Sequence, residues 1–140
     1  MKRIYIPGIP DVKVRPRFTK NGHAYDPNAQ QKEASIQKAE ITFDSRVYTG
    51  PIAIRFEFVF SRPKSHYRTG KNAHLLRDNA PRHCMNKKDL DNMEKFYSDS
   101  FNCIAWNDDS QIIISKARKR WAEPGEVPHV LILAHEVDDE

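Results

Sequence analysis

Ile52–Phe60 carries the cleanest pattern in the chain. Ile52, Ile54, Phe56, Phe58 and Phe60 alternate with Ala53, Arg55, Glu57 and Val59. A period of two is that of a strand with one face on the core, and so many large side chains on one face predict a central strand under a helix. Leu90, Met93, Tyr97, Phe101 and Ile104 instead recur at spacings of three and four. That spacing predicts an amphipathic helix over Asp89–Cys103. Asp26-Pro27 reads as a helix start, an acid followed by proline at the first position. The helix it opens is expected to run from Asn28 to about Phe43, with a thin apolar face of Ala29, Ala34, Ile36, Ala39, Ile41 and Phe43. Arg3–Ile6, closed by Pro7-Gly8, predicts a first strand. Gln111–Trp121 and His129–Val137 predict two more, expected to run antiparallel across the Glu123-Pro124-Gly125-Glu126 turn. Val12–Phe18, interrupted by Pro16, reads as an extended arm or an edge strand.

These elements predict an α+β fold: a small mixed or antiparallel sheet of about four to five strands packed with two main helices. The 140 residues suffice for one domain with a real core, and no repeat or linker divides them. No apolar run approaches the ~18 residues of a membrane span. The N-terminal apolar patch is too short for a signal peptide, so the cytoplasm is the expected compartment. Cys84 and Cys103, with no CxxC, are expected as free thiols.

Net charge is +4, and its distribution says more than its total. Segment 61–88 holds eight Lys or Arg (Arg62, Lys64, Arg68, Lys71, Arg77, Arg82, Lys87, Lys88) against one acid, Asp78. Lys13, Arg15, Arg17 and Lys20 form a second basic run, and Lys116, Arg118, Lys119 and Arg120 a third. Such clustering is the footprint expected for a phosphate backbone. Arg62–Lys87 lacks periodicity and is too long for an ordinary connection, which suggests a functional loop or a mobile one that orders only on substrate. Tyr67, His66, His74 and His83 could offer stacking or hydrogen bonds to nucleotides. The tail Asp138-Asp139-Glu140 is acidic and expected to fray.

Between these basic runs lie Asp89, Asp91, Lys95 and Asp99, then Asp108-Asp109. Hard divalent cations that act on phosphates take carboxylate oxygens, and two or three carboxylates hold one far better than a single group. A nearby lysine can neutralise charge in the transition state. Asp89 and Asp91 are two apart, so they can act together only at a helix entrance, where the first lies outside helical geometry. Other readings fit the same residues: Asp91 to Glu94 has capping-box spacing, Asp91, Lys95 and Asp99 could be a surface ladder, and Asp108-Asp109 could be a plain turn. Distance sets a condition on Asp109. A helix from Asp89 to Phe101 is roughly 18 Å long, and the eight residues after it span at most about 26 Å. Asp109 reaches the helix entrance within one chain only if that segment returns along the helix; otherwise a partner subunit completes the site.

The run Lys88-Asp89-Leu90-Asp91-Asn92-Met93-Glu94-Lys95, then Asp99, then Ala105-Trp106-Asn107-Asp108-Asp109-Ser110-Gln111, resembles the RusA-type Holliday-junction resolvases. The likeness covers about Lys87–Ala117. Arg15-Pro16-Arg17-Phe18 and Arg62-Pro63-Lys64-Ser65-His66-Tyr67 are similar to segments of phage-encoded members. The resemblance implies a homodimeric, magnesium-dependent endonuclease that nicks branched DNA in recombination and repair, with manganese a possible substitute. It implies Asp89, Asp91 and Asp109 as metal ligands, Lys95 as a catalytic helper, and Asp108 and Asp99 as supporting acids. Arg15, Arg17, Arg62, Lys64, Arg68, Lys71, Lys87, Lys88, Lys116, Arg118 and Arg120 are the expected DNA contacts. Three other readings stand beside it: a non-catalytic nucleic-acid-binding module, a nuclease for other branched DNA, and a zinc-structured domain using His74, His83, Cys84 and Cys103.

Overall fold

The computed structural model describes residues 1–13 and 17–138. Arg15 and the last two residues of the acidic tail lie outside them. In chain order the elements are β1 (Lys2–Pro7), β2 (Arg17–Phe18), β3 (Ala24–Tyr25), α1 (Ala29–Lys38), β4 (Glu40–Thr42), β5 (Ile52–Phe60), α2 (Leu90–Ser100), β6 (Ile112–Trp121) and β7 (His129–Glu136). The main sheet has five strands in the order β4-β1-β7-β5-β6, and β2 pairs with β3 in a separate hairpin. Every pairing is antiparallel except β5 with β6. Parallel neighbours need a crossover, and here the crossover is the long basic loop plus α2.

One face of the sheet carries the core. Ile4 and Ile6 of β1, Ile54, Phe56 and Phe58 of β5, and Val130, Ile132 and Ala134 of β7 are all buried. Register explains their convergence: Ile4 lies opposite Ile132, and Ile132 lies opposite Phe56. From α2 and the turn that follows it, Met93, Phe96, Tyr97 and Phe101 meet them, with Leu90 and Ile104 packed at the margin. Phe58 and Tyr97 rings sit 5.8 Å apart. The long basic loop is braced by its own side chains. Arg62 donates to Pro81 O at 2.7 Å, Arg77 to Tyr67 O at 2.8 Å, and Arg68 pairs with Asp78 at 3.0 Å.

Two expectations change. The first helix ends at Lys38, because Ala39 turns extended (φ −67°, ψ 132°), and Glu40–Thr42 pairs with β1 instead. Phe43, placed by its sequence on the helix's buried face, is 80% exposed in a left-handed turn (φ 74°). The last two long strands do run in opposite directions, but they do not form a hairpin. β5 lies between them and pairs with both, so the turn after β6 crosses the end of β5, where Ala122 N–H donates to Phe60 O at 2.7 Å.

The thin apolar face of α1 is supplemented by charge. Lys32 Nζ donates to Asp26 Oδ2 and to Asp99 Oδ2, each at 2.5 Å, tying α1 to α2. Burial disfavours this ammonium, but the two carboxylates outweigh it and hold its pKa above the ordinary lysine value. Lys32→Ala leaves both acids without their main partner in a half-buried setting. It should cost about 2 kcal/mol in urea denaturation, and a change near zero would show the tie to be decorative.

Candidate active site

Asp89 is the residue just before α2, with extended backbone (φ −70°, ψ 123°) and no hydrogen bond from its side chain to the helix N–H groups. It therefore stands outside the helical geometry that would force it away from Asp91. Its Oδ2 accepts a long hydrogen bond of 3.4 Å from Asn92 Nδ2. Asp91 lies in the first turn, and its Oδ2 is 3.9 Å from Lys95 Nζ. Both side chains of that pair are largely exposed, 70% for Asp91 and 64% for Lys95. Two carboxylates with spare lone pairs thus sit at the positive end of a helix dipole, which favours anionic groups there. Glu94 does not reach back to close a capping box; its Oε1 accepts from Ser115 Oγ of β6 at 2.6 Å.

The segment that enters α2 is held from below. Lys119 Nζ donates to the carbonyls of Asn86 and Lys88, both at 2.8 Å, and to Asn86 Oδ1 at 3.0 Å. Alternation along the strand puts Lys119 with Ser115, Ala117 and Trp121, on the face opposite Lys116, Arg118 and Arg120, but it does not say what Lys119 holds. A cavity of about 470 Å³ opens beside Asp89, lined by Ile9, Val12 and Phe60 on one side and by Asn86, Lys87, Lys88 and Asn92 on the other.

The remaining acids divide by duty. Asp108 closes a capping box with Gln111: its side chain accepts from Ser110 N–H at 3.0 Å, and Gln111 Oε1 accepts from Asp108 N–H at 2.8 Å. Those Ser110 bonds hold the Asp108 carboxyl below its ordinary pKa. Asp99 is engaged with Lys32, with Lys13 at 3.5 Å and with Asn102 Nδ2 at 3.2 Å. Asp109 opens the short 3-10 turn before β6 and is half-buried.

Asp109 stands at the other end of α2 from Asp89. The contacts of Glu94 with Ser115 and of Lys88 with Lys119 show that β6 runs antiparallel to α2. From Ile112 to Lys119 the strand covers roughly 23 Å, and Asp109 precedes it. Among the described residues no three His, Cys, Asp or Glu side chains gather closely enough to hold a metal ion. Cys84 is buried and Cys103 exposed, both as free thiols, and they do not gather with His74 and His83.

The bases also separate. Lys64, Lys71, Lys87 and Lys88 are exposed. Arg62 and Arg68 brace the loop, and Arg62 lies 5.9 Å from the Trp121 ring centre. The side chain of Arg17 and all of Arg15 are outside the described residues. Lys116, Arg118 and Arg120 align with Arg55, Glu57 and Val59, on the sheet face away from α2. Arg118 bonds Glu57 at 3.1 Å; Arg120 bonds Glu57 and, at 2.7 and 2.8 Å, both oxygens of Glu126.

Burial works against the Glu57 charge, but Arg120 and Arg118 outweigh it and lower its pKa. Arg120 brings Glu126 down to about 2 from an ordinary 4.5. A depressed folded-state pKa stabilises fully above the unfolded value and is lost as pH falls through the folded one. Glu126→Gln should therefore lower thermal stability at pH 6, with most of that deficit gone near pH 2. An equal deficit at both values would show that the pair's charge is not the source.

A comparison with curated proteins returns no match. A family model described as endodeoxyribonuclease RusA matches residues 7–132. The match takes in β4, β5, β6, both helices and all the acids of the candidate site, touches the last residue of β1 and ends within β7. No helix is long and apolar enough to cross a membrane among the described residues. The chain belongs to the RusA endodeoxyribonuclease family, divalent-metal-dependent hydrolases that cut phosphodiester bonds at Holliday junctions.

Proposed function

We propose that this protein is a magnesium-dependent, homodimeric resolvase that cuts four-way DNA junctions by paired phosphodiester hydrolysis in recombination and repair, acting in the cytoplasm. The observation that carries the assignment of its site is the Asp89–Asp91 pair: exposed carboxylates at a helix N-terminus, with neither side chain serving as a cap. An all-oxygen donor set of this kind fits a hard divalent cation; Asp89 and Asp91 are the residues that would hold it, with the partner subunit's Asp109 as the third, since within one chain Asp109 lies at the far end of α2. When bound, such an ion polarises the phosphoryl group, eases ionisation of the attacking water and screens the leaving oxygen.

The chain's own groups do the rest. Lys95, on the same side of α2 as Asp91, offsets negative charge gathering on the phosphate. Asn92 orients Asp89, and Lys119 fixes the segment from which Asp89 projects. Lys87 and Lys88 hold backbone phosphates at the rim of the cavity beside Asp89, whose apolar wall offers a surface for a base. Lys64 and Lys71 on the loop, with Arg15 and Arg17 on the N-terminal arm, extend the grip on the DNA. Water attacks phosphorus in line, the P–O3′ bond breaks, and the products carry a 5′-phosphate and a 3′-hydroxyl. A four-way junction has near two-fold symmetry, so a two-fold dimer supplies paired cuts economically.

The test is incubation with a mobile four-way junction, a flap, a fork and a matched linear duplex, with magnesium, with manganese and with chelator. Junction cutting that needs the divalent ion is expected. Equal cutting of linear duplex, or a preference for flaps or forks, would overturn the junction assignment. Cutting that survives chelation would overturn the metal assignment.

A further inference from the structure

We infer that the cavity between the basic loop and the end of β6 is a specificity pocket for one unpaired guanine of the DNA, stacked on Trp121 and read by Glu123 and Arg82. Its place relative to the cut rests on the proposed reading of Asp89 and Asp91 as the cutting site.

The cavity holds about 250 Å³, and Arg62, Tyr67, Leu76, Arg82, Trp121 and Glu123 are among the residues that line it. Drug-sized ligands take roughly 300–1,000 Å³, so this space admits one base and little more. Its walls are fixed by hydrogen bonds. Tyr67 bridges to Leu76 across the loop, Arg68 N–H donates to Leu75 O at 2.8 Å, and Arg77 N–H donates to His66 O at 2.9 Å. Trp121 Nε1–H donates to His83 O at 3.1 Å, and the His66 and Trp121 rings meet at right angles with centres 5.1 Å apart. A half-buried tryptophan held in place at the wall of a cationic, base-sized cavity is a stacking platform for a nucleotide.

The polar groups of the cavity narrow the choice of base. Arg120 is engaged with Glu57 and Glu126, and Arg62 with Pro81 O. The side chains of Arg82 and Glu123 are exposed and make no hydrogen bond or ion pair, with each other or with anything else, among the described residues. A guanidinium only donates and a carboxylate only accepts, and each does so best in pairs. Guanine is the base that offers two donor groups, N1–H and N2–H₂, together with the acceptor pair O6 and N7. Its N1 and N2 lie on the pairing edge, so the base must be unpaired, and unstacking costs least where the duplex is already disrupted. Trp121 shares a strand face with Lys119 about 7 Å away, and Lys119 bonds Lys88 O, next to Asp89. His83 precedes Asp89 by six residues, at most about 20 Å of chain. The guanine therefore lies within about six nucleotides of the scissile phosphate, at duplex spacing.

The test pairs base analogues with pocket variants. In a four-way junction, each guanine within about six nucleotides of the crossover is replaced in turn by inosine, which lacks the N2 amino group, and by 7-deazaguanine, which lacks N7. Binding is measured in chelator and cutting in magnesium. At one position, inosine should weaken wild-type binding and cutting by about tenfold and make little difference to Glu123→Ala protein. The 7-deazaguanine junction should show the same pattern with Arg82→Ala as the indifferent variant. Both side chains are exposed and unbonded, so both variants should melt with wild type. Penalties of analogue and variant that add in full mean that the two groups do not meet, and that overturns the pocket, as does the absence of any position sensitive to either analogue. Should wild type cut nothing while the binding pattern holds, the pocket stands and the reading of Asp89 and Asp91 falls. Cutting with fully additive penalties gives the reverse: the carboxylates stand and the pocket falls.

Discussion

Asp91→Asn is expected to lower junction cutting by roughly a thousand-fold, the scale seen when a group stabilising transition-state charge is removed. The substitution keeps size and shape and removes one negative charge. Asp91 makes one ion pair, to Lys95 at 3.9 Å, and both groups face water. A pair so exposed contributes little to stability, and the lost interaction with the helix dipole is worth less than about 1 kcal/mol. The melting temperature should therefore barely move. Binding of the junction should hold or tighten, because a carboxylate that repels phosphate when no metal is present has gone. The three readouts taken together discriminate. Lost cutting with retained binding and unchanged melting supports the assigned role. Unchanged cutting would remove Asp91 from the site, and loss of all three would mean that it serves the fold.

The elements most legible in the sequence were those whose pattern reports burial directly. β5 could be read because period-two alternation exposes which face meets the core, and α2 because its apolar residues recur at three and four. Phe96 lies one residue off that stripe and is nonetheless fully buried, packed edge-on against Tyr97. The boundary between α1 and β4 was not legible: no Gly or Pro marks it, and the break at Ala39 follows from β1 offering a partner to Glu40–Thr42. Neighbours within the sheet were hidden for a related reason. Alternation in β6 and β7 shows their faces and is silent on β5 lying between them. At the site, the helix entrance made the Asp89–Asp91 pair legible, since only there can residues two apart act together. Capping duty went to a different acid from the one its spacing suggested. A capping box needs an extended first residue, which Asp108 has (φ −153°, ψ 147°), whereas Asp91 is already helical. Where Asp109 falls relative to Asp89 depended on the direction of β6 past α2, a tertiary fact fixed by side-chain contacts such as Glu94 to Ser115.

Trp106→Ala should be the most damaging single substitution to stability, at about 3–5 kcal/mol. Trp106 is fully buried, its Nε1–H donates to Ser98 O at 3.0 Å, and its ring lies 6.4 Å from that of Phe101. Around it the chain reverses from α2 into β6: Cys103, at φ 68°, bonds its N–H to Trp106 O, and Tyr48 N–H bonds to Ala105 O at 3.0 Å. Gln111 Nε2 then donates to the carbonyls of Tyr48 and Gly50, both at 2.9 Å. Trp106 is thus the buried post against which the turn carrying Asp109 is set. Its removal opens a cavity, leaves Ser98 O without its donor, and frees that turn. Trp106→Phe keeps much of the volume and loses the N–H, so it should cost less, about 1–3 kcal/mol. The two variants also bear on cutting. If Trp106 acts by placing Asp109, Trp106→Phe protein that remains folded by circular dichroism should cut more slowly than wild type, with the deficit narrowing at high metal concentration. A deficit that metal does not relieve would assign the residue to packing alone.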